Sequence, residues 1–553
     1  MSLRLRSLIS AHDGNVAVIF ALASLPILGF AGMAVDYGLA SRLDTQLQAA
    51  TDATSLALCQ TPSATTLSQL QLQASTMMQG YMGSDVGLTV DALTMTSAPR
   101  KITLTARATS QAFLGGFTGT KRLPVAATAQ CATPLPKTFE IALVLDTTGS
   151  MAASGGAQTK IQALQQAAAN FVDYVHDNSA FSTDTRISIV PFAASVAVDP
   201  AAYRTANWVD TAGRSSYHWA NVDKASANAA GFTSRFSIFD ALKTTYSGWG
   251  WAGCFETLPY PQNTQEGVPT TNDTLFVPMF APDEPGGGSN TYTVWNNTYV
   301  SFNSYIDDFT GVGACTGGST FQTLENAACK YVGAKTAKPT NNNPYTGIPN
   351  GPNFQCVSQP LQRLTSNTGT LKALINSLSA AGSTNIHEGL MWGWRTLSPV
   401  SVFADGAAYS TAPTATNKII VLMTDGANTW PDNPYPNYNQ TMYFSHGYLT
   451  NADGSGTNSR LPPGNQNIST TAQERNALDA LTQTGCTNAK TAGVSIYTVG
   501  FSVASDPIDT QGINLLKNCA SSAGQAYIAN NSTDLIKAFD LIAKSIGALR
   551  LTQ

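Results

Sequence analysis

Residues 14–35, "GNVAVIFALASLPILGFAGMAV", form an apolar run without a charge. Arg4 and Arg6 precede it and Asp36 ends it. About 20 helical residues cross a bilayer core, so the run predicts a membrane helix, longer than the core of a cleaved signal peptide. Positive charge stays on the cytoplasmic side, which places the N-terminus inside and the chain after residue 36 outside. Over residues 38–58 the pattern becomes helical, with Leu43, Leu47, Ala50 and Ala57 on one face. One long helix, a retained anchor continuing into an amphipathic half, is expected. Residues 87–96, 101–110 and 122–131 then alternate apolar and polar positions, the period of strands in a small sheet. The resulting segments are 1–36, cytoplasmic N-terminus and anchor, and 37–131, helix plus sheet.

From residue 139 the period changes. "FEIALVL" is a continuous apolar strand, and residues 160–178 place Ile161, Leu164, Ala168, Phe171, Val172 and Val175 on one helical face. Further strands are predicted at 186–192, 418–424, 494–501 and 526–529. Helices are predicted at 369–380, 386–396, 471–491, 512–521 and from 532, where Leu535, Ile536, Phe539, Ile542 and Ile546 form the stripe. Buried strands alternating with helices give an α/β, doubly wound domain over 139–548, its largely parallel sheet covered on both faces. Two irregular stretches interrupt it, an insertion at 199–355 and a loop at 429–468. The insertion holds five of the eight tryptophans: Trp208, Trp219, Trp249, Trp251 and Trp295. Such aromatics make either a binding surface or the insertion's own core. A second strand parallel to the first would start the insertion at the edge where the first strand ends; an antiparallel one would start it at the opposite edge.

Composition narrows the class. Of 553 residues only 12% are charged, and the net charge of −4 excludes the basic surface of a nucleic-acid binder. The eight cysteines contain no CxxC pair, which points to disulfides in an oxidising, extracytoplasmic compartment rather than to zinc. Cys59, at the end of the long helix, and Cys131, at the end of the last strand, are placed to staple helix to sheet. Cys486 and Cys519 are expected to pair. Cys254, Cys315, Cys329 and Cys356 leave three pairings open.

Ligands of parallel sheets bind beyond the carboxyl ends of the strands. There the first strand gives way to Asp146, Thr148 and Ser150, and the strand at 418–424 to Asp425. Thr384 stands in a Gly-Ser loop before a helix. These are hard oxygen donors suited to a divalent cation, Mg²⁺ first and Mn²⁺ or Ca²⁺ next. With hydroxyls bound directly and carboxylates through water, the ion stays electrophilic and leaves a position for a partner's acidic group. A phosphotransferase opening with the same strand-end Asp needs an acid two residues on; Thr148 stands there instead. None of the five histidines lies in an HExxH motif, and His387, beside Glu388, reads as a helix-face residue. The chain is not expected to be an enzyme.

Asp146-x-Thr148-x-Ser150, Thr384 and Asp425-Gly426 together resemble the metal-ion-dependent adhesion site (MIDAS) of von Willebrand factor A (vWA) domains. That resemblance implies a Rossmann-like fold, with Asp146 and Asp425 holding the ion through waters and the hydroxyls binding it directly. Thr148 replaces the commoner Ser. Residues 14–58, with "TDGAN" and "LMWGWRTLSP", resemble TadG-like proteins of Tad (Flp) pilus systems; the likeness covers 14–59, 139–197 and most of 356–548. Gly14 before the apolar run is similar to a type IV prepilin cleavage point, but Ile19 stands where those carry Glu, which argues against processing. The helix-on-sheet plan of 37–131 is pilin-like. The resemblance implies a single-pass component of the bacterial inner membrane, its bulk periplasmic or on the cell surface. Its partners would be other pilus or secretion-machinery proteins, engaged through an acidic residue at the metal. The alternative is a pilus-presented adhesin for a host or surface ligand.

Overall fold

The apolar run and the amphipathic stretch after it form one helix, α1 (Asn15–Cys59), 45 residues long. At 1.5 Å per residue it extends about 67 Å, roughly twice a bilayer core. The computed structural model describes residues 15–61, 65–83, 86–97, 100–112, 122–132, 137–287, 291–294, 297–306, 320–334, 347–412, 415–430 and 437–548. By length and composition α1 is apolar enough to cross a membrane. Its N-terminal half leaves Phe20, Leu25, Leu28 and Phe30 exposed, whereas Leu43, Leu47, Ala50, Thr54 and Leu58 are buried. Ala57 is only half-buried; Thr54 and Leu58 carry the stripe in its place.

The chain divides into two units, residues 1–135 and 136–553. In the first, α2 (Leu67–Met82) and the C-terminal half of α1 accompany an antiparallel sheet of β1 (Thr89–Ser97), β2 (Arg100–Gln111) and β3 (Arg122–Ala132), in that order. Leu47, Leu58, Leu70, Met78, Ile102 and Leu104 form its core. Cys59 and Cys131 are bonded, tying helix to sheet.

The second unit is built on six strands: β4 (Phe139–Asp146), β5 (Arg186–Phe192), β6 (Gln362–Thr365), β7 (Asn417–Thr424), β8 (Ser495–Phe501) and β9 (Ala526–Ala529). Their order is β9-β8-β7-β4-β5-β6, all parallel except the β5–β6 pair. Alternate residues of a strand face opposite sides. Phe139, Ile141, Leu143 and Leu145 of β4 therefore pack with α3 (Lys160–Asp177), α4 (Thr368–Ser377) and α8 (Ser532–Ala548). Ala142 and Val144 pack on the other face with α5 (Ile386–Leu397), α6 (Thr471–Thr491), α7 (Thr510–Cys519) and the insertion. Cys486 of α6 and Cys519 of α7 are bonded.

Because β5 is parallel to β4, the insertion leaves the sheet at the edge where Asp146 lies. Three of its described tryptophans face inward. Trp208, Trp249 and Trp251 are buried in one cluster with Phe255, Phe276 and Trp392, and Trp219 is half-buried; Trp295 lies outside the described residues. The aromatics are thus core, not an exposed platform. Cys254 bonds Cys356, and Cys329 is also disulfide-bonded; Cys315 lies outside the described residues.

Candidate metal centre

Asp146 is the last residue of β4 and is fully buried. Its two carboxylate oxygens each have a donor: the Thr148 amide at 2.8 Å and the Thr424 hydroxyl at 2.6 Å. The chain then turns so that the Thr148 and Ser150 hydroxyls stand 3.0 Å apart. Ser150 Oγ donates to Asp425 Oδ1 at 2.7 Å, joining the loop after β4 to the loop after β7. The Thr384 loop is fastened to both. Gly149 N donates to Gly382 O at 2.9 Å, Ala381 N to Thr147 O at 2.8 Å, and Thr429 N to Thr384 O at 2.9 Å. Asn428, from "TDGAN", accepts from the Ile386 amide at 2.8 Å and so satisfies an open donor at the start of α5. Asp146, Thr148, Ser150, Thr384 and Asp425 thus lie on three loops that interlock at one edge of the sheet.

Two residues outside the sequence motif complete the electrostatics. Lys160 opens α3, where Thr159 and Gln162 make a reciprocal capping box. Its ammonium is buried and donates to Asp425 Oδ2 at 2.8 Å and Asp506 Oδ2 at 2.7 Å. Burial alone would push this ammonium down; Asp425 and Asp506 outweigh it and hold it above its usual range. Asp146 is pushed up to about 7, first by burial and then by the charge of Asp425. Burial also raises Asp425, with Lys160 and Ser150 opposing.

The donor set suits a small hard dication. It contains hydroxyls and carboxylates and no sulfur or imidazole, and two buried carboxylates repel each other with one ammonium beside them. Thr148 and Ser150 supply hydroxyls and Asp146 and Asp425 carboxylates at this edge, and the Thr384 loop is joined to it through its backbone. Among the described residues no group of three or more His, Cys, Asp or Glu side chains is arranged to hold a metal, and this centre has only two carboxylates. His387 is not part of it: the ring is buried in α5, its Nε2 sits 2.8 Å from Asn263 O, and burial lowers its pKa.

Residues 14–57 match the family described as putative Flp pilus-assembly TadE/G-like. No curated protein matches the chain. Among solved structures, the chain is similar to the pilus adhesin SpaC from Lactobacillus rhamnosus GG, at 10% identity and a TM-score of 0.30, over 84% of this chain and 35% of that one. It is also similar to the vWF domain of the type V pili tip protein Mfa5 from Porphyromonas gingivalis, at 13% identity and a TM-score of 0.32, over 76% and 98%. A third is the pilus adhesin RrgA from Streptococcus pneumoniae, at 11% identity and a TM-score of 0.31, over 83% and 49%.

Proposed function

We propose that the chain is a membrane-anchored, extracytoplasmic component of a Tad/Flp-type pilus, an assembly factor or minor pilin. Residues 139–548 would be a Rossmann-like vWA domain that binds a protein partner through a MIDAS. The observation that carries this reading is the Ser150–Asp425 contact, which brings the loops after β4 and β7 together beside the Thr384 loop. The matched segment 14–57 supports the pilus assignment and the apolar half of α1 a membrane anchor; the proposed inner-membrane orientation, N-terminus cytoplasmic and bulk of the chain periplasmic or on the surface, follows from Arg4 and Arg6 before the apolar run.

When bound, a Mg²⁺ ion (or Mn²⁺ or Ca²⁺) supplies an electrophilic position for a partner's carboxylate. The chain's own residues do the rest. Thr148, Ser150 and Thr384 offer neutral oxygens, Asp146 and Asp425 supply charge from behind, and Lys160 fixes the outer oxygen of Asp425. The reading is of binding, with the hydroxyls and carboxylates as ligands of an ion. The exit of the insertion at the metal edge favours a second reading, an adhesin that uses this edge on a surface ligand.

Electron microscopy of a strain carrying Asp146→Ala, with surface attachment scored alongside, tests both. Loss of pili while the variant is present and folded supports assembly. Pili that persist without attachment favour the adhesin. Unchanged pili and attachment contradict both readings.

A further inference from the structure

The insertion closes on Gln355, one of three non-glycine residues with positive φ among the described ones, at 70°. A side chain disfavours that backbone region, and it persists only where the surroundings over-determine it. Two features do so here. The next residue, Cys356, is bonded to Cys254. The side chain of Gln355, fully buried, grips Ser383 twice: Oε1 accepts from the Ser383 amide at 3.0 Å, and Nε2 donates to Ser383 Oγ at 3.0 Å. Ser383 is the neighbour of Thr384. On its other side Gly382, at φ +83°, has no room for a side chain, because a Cβ would lie 2.7 Å from Val357 and 3.3 Å from Ala193. The loop is therefore held between the Asp146–Ser150 segment, through Gly382 and Ala381, and the closing residue of the insertion, through Ser383.

We propose that Gln355 is a positioning residue of the metal centre: it fixes the Thr384 loop from outside the motif and so ties ion affinity to the closed insertion. This rests on the metal reading above. Groups that orient ligands without touching the metal commonly change affinity 10–100-fold when removed. Linkage makes the coupling reciprocal, so a partner that moves the insertion changes ion affinity, and the ion stabilises the insertion's closing contact.

The test is calorimetric Mg²⁺ titration of the full chain in detergent, with amide hydrogen exchange on the ion-free protein. Gln355→Gly removes both hydrogen bonds while fitting the positive φ. It is expected to weaken Mg²⁺ roughly tenfold or more and to speed exchange at Ser383, with the β4 and β7 amides unchanged. Gln355→Glu keeps an acceptor for the Ser383 amide and offers a second oxygen to its hydroxyl, and is expected to retain affinity. An unchanged Mg²⁺ constant in Gln355→Gly, with the unsubstituted protein binding normally, would overturn the inference alone. Absence of Mg²⁺ binding by the unsubstituted protein would overturn the metal reading and this inference with it. Faster Ser383 exchange with unchanged affinity would reduce Gln355 to a structural brace and also overturn the proposal.

Discussion

At Asp425 one carboxylate oxygen takes the Ser150 hydroxyl and the other the Lys160 ammonium, so the loop after β7 is held between the motif and the first turn of α3. Removing one partner of a buried ion pair leaves the other charge uncompensated, at about 3–5 kcal/mol. Lys160→Met, close in volume but neutral, is expected to lower unfolding stability by about that amount in ion-free buffer. Chemical denaturation checks it, and a loss under about 1 kcal/mol would mean that the pair is dispensable. Asp146, Thr148, Ser150 and Asp425 stood out in the sequence because they follow apolar strands that end abruptly, and Thr384 because it stands in a Gly-Ser loop before a helix. Lys160 did not, because the helix stripe was phased on Ile161, which proves half-buried. The buried positions run 160, 163, 164, 167, 168, 171, 172 and 175, a helical stripe in which Lys160 is the first member. That phase was the available signal for a buried cation. Asp506 and Gln355 carried no such signal, since both depend on loop paths that no periodicity encodes.

Among the elements, long periodic segments were readable and short ones were not. α6 and the buried strands β4, β5, β7 and β8 have the expected extents, but β6 (Gln362–Thr365) is not among the predicted strands. It has four residues, all half-buried, at an antiparallel edge, so it presents neither alternation nor an apolar run. The packing of α5 also escaped the pattern. Gly393 of "LMWGWRTLSP" lies so close to β4 that a Cβ would sit 2.4 Å from Val144. The two irregular stretches form one cap, joined through buried carboxylates. Arg235, from the insertion, and Arg460, from the second stretch, each meet Glu256 at 2.6 Å. Tyr448 donates to Glu284 at 2.8 Å and Asn439 to Glu325 at 2.9 Å.

Burial, then Glu284, pushes Glu325 up to about 8, with Asn439 and Lys330 opposing and Asp283 adding repulsion. A carboxyl raised in the folded state binds a proton there that the unfolded chain has released. Its stability contribution is therefore full below the unfolded value, near 4.5, and is lost as pH rises through about 8. Unfolding midpoints are expected to fall between pH 5 and pH 8.5, and Glu325→Gln to flatten part of that slope. A variant with the parent's pH profile would show that Glu325 does not titrate in this range.

For the whole molecule, chain order sets out the parts: an apolar helix, a small disulfide-tied sheet, and a parallel sheet whose carboxyl edge gathers the hydroxyls and carboxylates. The insertion adds to that edge instead of standing apart, since its root is bonded at Cys254–Cys356 and its last residues grip the Thr384 loop. Trp208, Trp249 and Trp251 are buried in its core, and partner binding is proposed to depend on the carboxyl edge of the sheet. The deciding measurement is Mg²⁺ titration of the full chain in detergent, run on the unsubstituted protein and on Asp146→Ala. The account predicts saturable binding by the first and none by the second, with a rise in thermal midpoint on adding Mg²⁺ only in the first. Equal Mg²⁺ affinity in both proteins, or no binding by either, would contradict it.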